Sequence, residues 1–355
     1  MHTKLFIPGP VEVLPEVLEK MATPMIGHRS KACAELQKNI SEKVQKVFYT
    51  KNVIVLSTSS GSGLMESALR CCTGKRAAVF SIGSFGDRWY KMAKTNGKEA
   101  DIFRVPDGQA TPPADVDAAL ATGKYDLVTI THNETSTGVM NPIAEIAAVI
   151  KKYPDVVFCV DTVSSMGGTY IPVDELGIDF CITSSQKCLG LPPGMSIASV
   201  SEKAYERAKT VENRGLYFDI VSLYEKAQKK YQYPSTPSIS HMFALDYQLD
   251  RILAEGLENR FARHIEMAEY TRDWARKYFA IFPDERYLSN TLTTVTNTRG
   301  ISVADLNAEL AKRGFNISNG YGDLKEKTFR IAHMADCTLA EVKEVTDAIV
   351  DILGL

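Results

Sequence analysis

The sequence predicts an α/β protein with a mostly parallel sheet in a large domain and a smaller α+β domain at the C-terminus. Two observations predict the large domain: strand and helix patterns alternate between residues 53 and 160, and the strands are almost entirely apolar. Strands of this kind are buried on both faces, as in sheets covered by helices. The third observation is that this alternation stops after about residue 200, and an α+β pattern follows at 287–355.

The predicted elements begin with a short helix and an amphipathic helix, at 15–22 and 30–48. The strands of the large domain are predicted at 53–56, 77–80, 101–103, 127–130, 156–160 and 178–183. Helices between these strands are predicted from 64 onward and at 89–95, 114–120 and 143–151. A long helical region at 240–278 precedes the small unit, which has strands at 291–295 and 328–331 and helices at 303–312 and 339–353.

These patterns place the large domain at 16–245 and the small domain at 246–355. The segment 1–15, which contains Pro8-Gly9-Pro10, is expected to pack on the small domain or near the active site. A chain of 355 residues is long enough for two domains and a substantial core.

Composition limits the function classes. The apolar share of 45% and the charged share of 24% are ordinary for a globular protein. A net charge of −2 and the lack of a basic stripe argue against a nucleic-acid partner. The seven cysteines form no CxxC pair and lie mostly in apolar runs, which is typical of reduced core residues, and we expect no metal site. With no apolar leader or membrane-length apolar run, a cytoplasmic protein without a membrane partner is expected.

Two residues that follow neighbouring strands carry the chemistry. Asp161 ends the strand 156–160, and Lys187 follows the strand 178–183. Ligands of open α/β sheets collect at the carboxyl ends of the strands. A carboxylate that keeps a pyridinium nitrogen protonated and an amine that forms a Schiff base are what pyridoxal phosphate requires. Either residue alone has ordinary explanations, such as a helix cap or a solvated loop lysine; the pair is the stronger signal.

A loop rich in small residues, Ser57-Thr58-Ser59-Ser60-Gly61-Ser62-Gly63, lies between the first core strand and a helix. Backbone N–H groups at such a helix N-terminus bind anions, and hydroxyls add donors. The loop has neither the lysine of a Walker A motif nor the spacing GxGxxG, which favours a small phosphoester over a nucleotide. By itself the loop is equally typical of a capped strand-to-helix turn.

Two further segments are candidates for contacts with a cofactor ring. Phe85, between glycines after the strand 77–80, could stack on a pyridine face or simply anchor a loop. Asn133 and Thr135 follow the strand 127–130 and could reach the ring edge, whereas His132 is more typical of a hydrogen-bonded core histidine.

Taken together, these motifs resemble the class V aminotransferases, most closely the serine–pyruvate, alanine–glyoxylate and serine–glyoxylate branch. The resemblance extends from residue 5 to beyond 330. The segments that carry it are Pro8-Gly9-Pro10, Gly27-His28-Arg29, Ser60-Gly61-Ser62-Gly63, Asn133-Glu134-Thr135-Ser136-Thr137-Gly138, Asp161-Thr162-Val163-Ser164-Ser165 and Ser185-Gln186-Lys187.

The resemblance implies fold type I of the pyridoxal-phosphate enzymes and a homodimer with active sites shared between subunits. Lys187 would bind pyridoxal 5'-phosphate covalently, and Asp161 would pair with its pyridine nitrogen. The other implied cofactor contacts are Phe85 and Val163 on the ring faces, Thr135 near the ring hydroxyl, Ser60, Gly61, Ser62 and Gln186 at the phosphate, and Tyr233 and Thr236 at the phosphate of the neighbouring subunit.

For the substrate, the resemblance implies that Arg330 clamps the α-carboxylate. Gly9, near the N-terminus, is expected to narrow the pocket and so to favour small substrates. A guanidinium suits bidentate carboxylate binding, although an arginine on a strand is by itself more often a surface residue. Two positions depart from the family pattern, Ala332 in place of a frequent glycine and Pro234 directly after the phosphate tyrosine.

The function predicted from these features is ping-pong transamination between alanine or serine and glyoxylate or pyruvate. Alternatives on the same fold are 2-aminoethylphosphonate, phosphoserine or ureidoglycine–glyoxylate aminotransferases, for which His28 and Arg29 could supply extra basic groups. A desulfurase would need a mobile nucleophilic cysteine, for which Cys337 is the candidate. Outside this cofactor class, a dinucleotide-dependent oxidoreductase is disfavoured by the missing GxGxxG, and a non-catalytic scaffold would require neither Asp161 nor Lys187.

Overall fold

The computed structural model describes residues 2–355. Its strands are β1 (Lys4–Phe6), β2 (Val53–Ser57), β3 (Ala77–Ser81), β4 (Ala100–Arg104), β5 (Leu127–Thr131), β6 (Asn133–Glu134), β7 (Val139–Met140), β8 (Val157–Asp161), β9 (Phe180–Ser184), β10 (Ser196–Val200), β11 (Ala280–Ile281), β12 (Leu292–Thr296), β13 (Phe315–Asn319) and β14 (Thr328–Ala332). Its helices are α1 (Pro15–Met21), α2 (Lys31–Val47), α3 (Gly61–Cys72), α4 (Ser84–Thr95), α5 (Pro113–Leu120), α6 (Ile143–Ile150), α7 (Val173–Leu176), α8 (Glu202–Lys209), α9 (Ile220–Lys230), α10 (Ile239–Glu255), α11 (Leu257–Tyr278), α12 (Val303–Lys312) and α13 (Leu339–Leu353).

The large sheet has the strand order β2-β10-β9-β8-β5-β3-β4 within the described residues. Every strand in it runs parallel to its neighbours except β10, which is antiparallel to both β2 and β9. One apolar core on each face of this sheet buries its side chains beneath helices. The predicted α/β class with a mostly parallel sheet is confirmed, and the parallel arrangement gathers the carboxyl ends of six strands along one edge.

A second, smaller sheet has the strand order β1-β13-β14-β12-β11, and α11, α12 and α13 pack against it. The N-terminal strand β1 joins it by pairing in parallel with β13, where Leu5 lies opposite Asn316. Residues 4–6 of the N-terminal segment therefore belong to the small sheet.

The structure differs from the sequence prediction where local signals are weak. β10 and β13 were not predicted, because each mixes serine or asparagine with its apolar residues instead of forming a continuous apolar run. Neighbouring strands on both sides supply the hydrogen bonds that hold these segments extended. The helical region predicted at 240–278 is two helices, separated at Gly256, which has a φ of 83°.

The division into domains remains a prediction, and packing favours a later boundary than residue 245. The buried apolar residues of α10 belong to the core of the large sheet, whereas Met267, Trp274 and Ala275 of α11 belong to the core of the small sheet. We propose that the boundary falls at Gly256, between these helices.

No helix in residues 2–355 is long and apolar enough to cross a membrane. Within the same residues, no group of three or more His, Cys, Asp or Glu side chains is arranged to hold a metal ion.

Candidate active site

Asp161 and Lys187 meet at the carboxyl edge of the large sheet. Asp161 is the last residue of β8, in register with Thr131 of β5 and Ile182 of β9. Lys187 follows β9 in a turn, in which the Gly190 N–H donates to the Lys187 carbonyl at 2.9 Å. Both side chains are buried, with exposed fractions of 4% and 9%. The structure thus brings together the two residues on which the predicted chemistry depends.

The surroundings shift both pKa values toward neutrality. The pKa of Lys187 is lowered to about 8, chiefly by burial and also by the positive charges of Arg330 and Arg88, against the opposing influence of Cys188 and Asp161. Burial also raises the pKa of Asp161 to about 6, although the Val163 N–H, which donates to Asp161 Oδ1 at 2.9 Å, favours the carboxylate. Perturbed carboxyl and amine groups in one cleft are typical of catalytic sites.

The N-terminal segment covers the lysine. Lys187 Nζ donates a hydrogen bond to the carbonyl oxygen of Pro8, and the Val11 N–H donates to the Gln186 carbonyl at 3.1 Å. Gly9 has a φ of +88°, and a Cβ at this position would lie 2.6 Å from Lys187 Cδ. Gly9 therefore contacts the lysine directly, and no larger residue fits there without displacing it.

The predicted phosphate loop leads into α3, which begins at Gly61. Ser60 is exposed at the N-cap position, and its side chain makes no capping hydrogen bond, so its hydroxyl is free for a ligand. A Cβ on Gly61 would lie 2.7 Å from Val163 Cγ2, so glycine allows Val163 to approach the helix. The free N–H groups of this first turn favour an anion.

The two predicted ring walls, Phe85 and Val163, both border this edge. The helix predicted at 89–95 begins earlier, at Ser84, so that Phe85 lies in its first turn. Glu134 fixes that turn: its Oε2 accepts the N–H groups of Phe85 and Gly86 at 2.9 and 3.1 Å. This buried carboxylate replaces the missing side-chain cap of α4 and so sets the position of the aromatic wall.

Arg330 is held with its plane fixed. Its Nε and Nη2 both donate to the Asn319 carbonyl, at 3.1 and 2.9 Å, and its Nη1 donates to the Thr135 carbonyl at 2.9 Å. One N–H on each terminal nitrogen remains unused among residues 2–355. Burial lowers the pKa of this guanidinium to about 10. A fixed and buried guanidinium with a free edge is suited to a carboxylate.

Several buried polar atoms at this edge have no hydrogen-bond partner within residues 2–355. They include Ser184 Oγ, Gln186 Oε1 and Tyr233 Oη. Since buried polar groups are normally paired, unpaired ones around a lysine and an aspartate fit a polar ligand that binds there. The residues present therefore fit the predicted cofactor, with Lys187, Asp161 and the loop at Ser60 as its principal contacts.

Tyr233 and Thr236 are the predicted intersubunit contacts. Tyr233 is buried in the same chain, its ring centroid 6.4 Å from that of Tyr217, while Thr236 is exposed. Arg29 donates to the carbonyl oxygens of Tyr233, Pro234 and Ser235, so its guanidinium holds this segment. That role leaves Arg29 a poor candidate for substrate binding, and the contact of Tyr233 and Thr236 with another subunit remains a prediction.

Sequence reasoning missed three residues that support the site. Arg260, fully buried in α11, donates to the carbonyls of Gly167 and Cys188, both at 2.9 Å. Arg88 donates to Ser62 Oγ at 3.0 Å. Tyr321 lies beside both Phe85 and Arg330, at 5.8 Å between ring centroids and 5.6 Å from the guanidinium to its ring. Each of these side chains contacts a segment that is distant in the chain. Only Arg88 could have been found from the sequence, because it lies one helical turn after Phe85.

Comparison with known proteins agrees with this geometry. The family model for class V aminotransferases matches residues 12–335. An uncharacterized aminotransferase of Methanocaldococcus jannaschii is 41% identical over 95% of this chain and 89% of its own length. A serine–glyoxylate aminotransferase of Arabidopsis thaliana is 32% identical over 94% of this chain and 85% of its own length.

Solved structures share the whole fold. An alanine–glyoxylate aminotransferase from Nostoc sp. has a TM-score of 0.94 at 27% identity and covers 99% of this chain and 96% of its own. A ureidoglycine–glyoxylate aminotransferase from Bacillus subtilis has a TM-score of 0.92 at 27% identity, with coverage of 99% and 93%. These matches confirm fold type I and exclude the dinucleotide-dependent oxidoreductase. The chain belongs to the class V aminotransferases and is a pyridoxal-phosphate-dependent transaminase.

Proposed function

We propose that the enzyme catalyses ping-pong transamination between a small amino acid, alanine or serine, and a small 2-oxo acid, glyoxylate or pyruvate. The observation that carries the proposal is the fixed guanidinium of Arg330, buried beside Lys187 and with its terminal N–H edge free. An α-carboxylate bound there would place the α-carbon of an amino or oxo acid near the lysine amine.

The residues divide the work as follows. When bound, pyridoxal phosphate supplies an electron sink and an aldehyde carbon that reacts with amines. Lys187 Nζ removes the proton from the α-carbon of the donor and later delivers one, a role favoured by its lowered pKa. Asp161 presents a carboxylate to a protonated ring nitrogen, and that positive charge would in turn hold the carboxyl ionised. Arg330 orients the substrate, so that only one C–H bond faces the lysine.

The preference for small substrates is supported by what borders the pocket. Tyr321 lies beside both Arg330 and Phe85. On the other side, Pro8 and Gly9 of the N-terminal segment cover Lys187. The names of the Arabidopsis and Nostoc relatives, which specify serine, alanine and glyoxylate, agree with this preference. The ureidoglycine–glyoxylate enzyme of similar fold makes ureidoglycine the second candidate donor.

A screen of donors against acceptors tests the proposal. Alanine, serine, aspartate and ureidoglycine would be combined with glyoxylate, pyruvate and hydroxypyruvate, and kcat/KM measured for each pair. Alanine or serine with glyoxylate or pyruvate should give the highest values. A clear preference for ureidoglycine or for a dicarboxylic donor would contradict the substrate assignment while leaving transamination intact.

We also propose that the enzyme is a cytoplasmic homodimer with shared active sites. Met25, Leu216 and Tyr217 are exposed by 65%, 91% and 46%, and Tyr217 packs beside the segment at Tyr233 that Arg29 holds. Neighbouring exposed apolar side chains such as Leu216 and Tyr217 are typical of an interface. Thr236, three residues after Tyr233, is exposed and would reach a neighbouring subunit there.

Complementation between two inactive variants tests whether the active sites are shared between subunits. Lys187→Ala and Thr236→Asp should each be inactive alone, the second because its carboxylate repels the partner's cofactor phosphate. Refolding the two together should restore activity, since one site of the mixed dimer holds both native residues. Absence of restored activity in a mixture shown to be dimeric would argue against sharing.

A further inference from the structure

A guanidinium without a carboxylate partner lies at the N-terminus of α3. Arg88 of α4 donates from Nη1 to Ser62 Oγ at 3.0 Å, and it forms no ion pair within residues 2–355. Its neighbour Asp87 is engaged elsewhere, by Arg104 Nε at 2.9 Å and by Ser81 Oγ at 2.8 Å. The protein therefore places a positive charge here without supplying its counter-ion.

The position of Arg88 is set by the aromatic wall. Its guanidinium carbon lies 4.5 Å from the centroid of the Phe85 ring, one helical turn earlier in the chain. Stacking of a guanidinium on an aromatic face fixes its plane and leaves its N–H edge free for hydrogen bonds. The charge is also close enough to influence Lys187 and Asp161. Arg88 thus joins the ring wall to the phosphate loop.

The phosphate loop itself lacks a cation. Residues 57–63 contain only serine, threonine and glycine, so their hydroxyl and N–H groups offer no full charge. A helix N-terminus contributes about half a positive charge, well short of what a phosphate monoester carries near neutral pH. We propose that Arg88 is the cation that binds the cofactor phosphate, acting beside Ser62 and the first turn of α3. The inference rests on the cofactor site proposed above.

A second role for this charge would be to bind the side-chain carboxylate of a dicarboxylic substrate. The contact with Ser62 favours the phosphate, because Ser62 belongs to the anion-binding loop, whereas the substrate clamp Arg330 is held by Asn319 and Thr135. The test separates these two roles.

The experiment compares the binding of pyridoxal phosphate and of pyridoxal, which lacks the phosphate, to the full-length chain freed of cofactor. Binding is followed by the quenching of protein fluorescence. Arg88→Gln should weaken pyridoxal phosphate binding by about tenfold to a hundredfold, the range for one hydrogen bond to a charged group, and leave pyridoxal binding unchanged. Inorganic phosphate should also compete less well against pyridoxal phosphate in this variant.

Arg299→Gln, which removes an exposed arginine of the small domain, is the control and should change neither affinity. Equal weakening of both ligands by Arg88→Gln would overturn the proposal and indicate a structural role. So would unchanged pyridoxal phosphate binding with a raised KM for aspartate, which would indicate the carboxylate role. If Arg88→Gln does not fold, Arg88→Met, which also removes the charge, decides: it should weaken only the phosphorylated ligand, and an unchanged ratio of the two affinities overturns the proposal. Since the phosphate role is decided by cofactor binding and not by turnover, failure of the substrate assignment leaves the binding result interpretable.

Discussion

Arg260 Nη2 donates to the carbonyl oxygen of Cys188, the residue after Lys187, at 2.9 Å. The same side chain binds the Gly167 carbonyl through Nε, and its Nη1 lies 2.7 Å from Glu255 Oε2 and 3.2 Å from Asp336 Oδ1. Asp336 lies shortly after β14, which carries Arg330. One buried guanidinium therefore connects the lysine turn, the chain beyond Asp161 and the strand of the substrate clamp.

Replacing this guanidinium should destabilise the fold and the site together. Arg260→Met is expected to lower the free energy of unfolding by about 3 kcal/mol, because two carboxylates and two carbonyls lose a buried partner. Denaturant unfolding measures the change. Arg276→Met, on the exposed end of the same helix, should cost no more than about 1 kcal/mol. Equal effects of the two substitutions would contradict the proposed role of Arg260.

Lys187 should be the residue that binds the cofactor covalently. Borohydride treatment of the holoenzyme should abolish its visible absorption and leave a modified peptide containing Lys187. Lys187→Ala should lose turnover, whereas Lys203→Ala, an exposed lysine paired with Asp179, should keep it. Full turnover of Lys187→Ala would show that the assignment is wrong.

The pH dependence of cofactor capture should report the lowered pKa of Lys187. Only the neutral amine attacks an aldehyde, so the association rate of pyridoxal phosphate should rise with pH and level off above about 8. Arg330→Gln removes a positive neighbour that disfavours the protonated amine; the pKa should rise, and the profile should move to higher pH. Arg104→Gln should leave the profile in place, and an unmoved profile in Arg330→Gln would refute the coupling.

The substrate clamp should depend on the planar geometry of Arg330. Arg330→Lys keeps the charge but cannot bridge the Asn319 and Thr135 carbonyls while offering two N–H groups to a carboxylate. Steady-state kinetics with alanine and glyoxylate should show a lower kcat/KM, which corresponds to a loss of about 2 kcal/mol of transition-state stabilisation. Arg299→Lys, an exposed arginine of the small domain, provides the control. Unchanged kinetics in Arg330→Lys would exclude the clamp.

Gly9 should tolerate no side chain. In Gly9→Ala the new Cβ would meet Lys187 Cδ and Cε and the Gln186 carbonyl at 2.6 to 2.9 Å, so activity should fall sharply. Gly97→Ala is matched for positive φ, at +66°, but has nothing within 4 Å of the added Cβ. It should cost about 1 kcal/mol of stability through backbone strain alone and keep full activity. Similar activity in the two variants would contradict the contact between Gly9 and Lys187.

The sequence by itself determined the elements whose signals are local and strong. Apolar runs predicted most strands of the large sheet, and the helix predicted at 303–312 and the helix at 339–353 have the same bounds in the structure. The same patterns predicted a helix after the serine–glycine loop, although α3 begins at Gly61 and not at Leu64. They also placed Asp161 at the end of β8 and Lys187 after β9, and residues at strand ends meet at one sheet edge.

Tertiary structure alone decided what depends on distant partners. β10 and β13 are extended because neighbouring strands bind them, and β1 is a strand only because β13 lies beside it. Arg260 gathers carbonyls from segments that are 93 and 72 residues away in the chain. Arg88 reaches Ser62, 26 residues away in the chain, only because α4 packs against α3. Local patterns cannot specify such contacts, since their free energy arises only when packing removes the groups from water and brings them together.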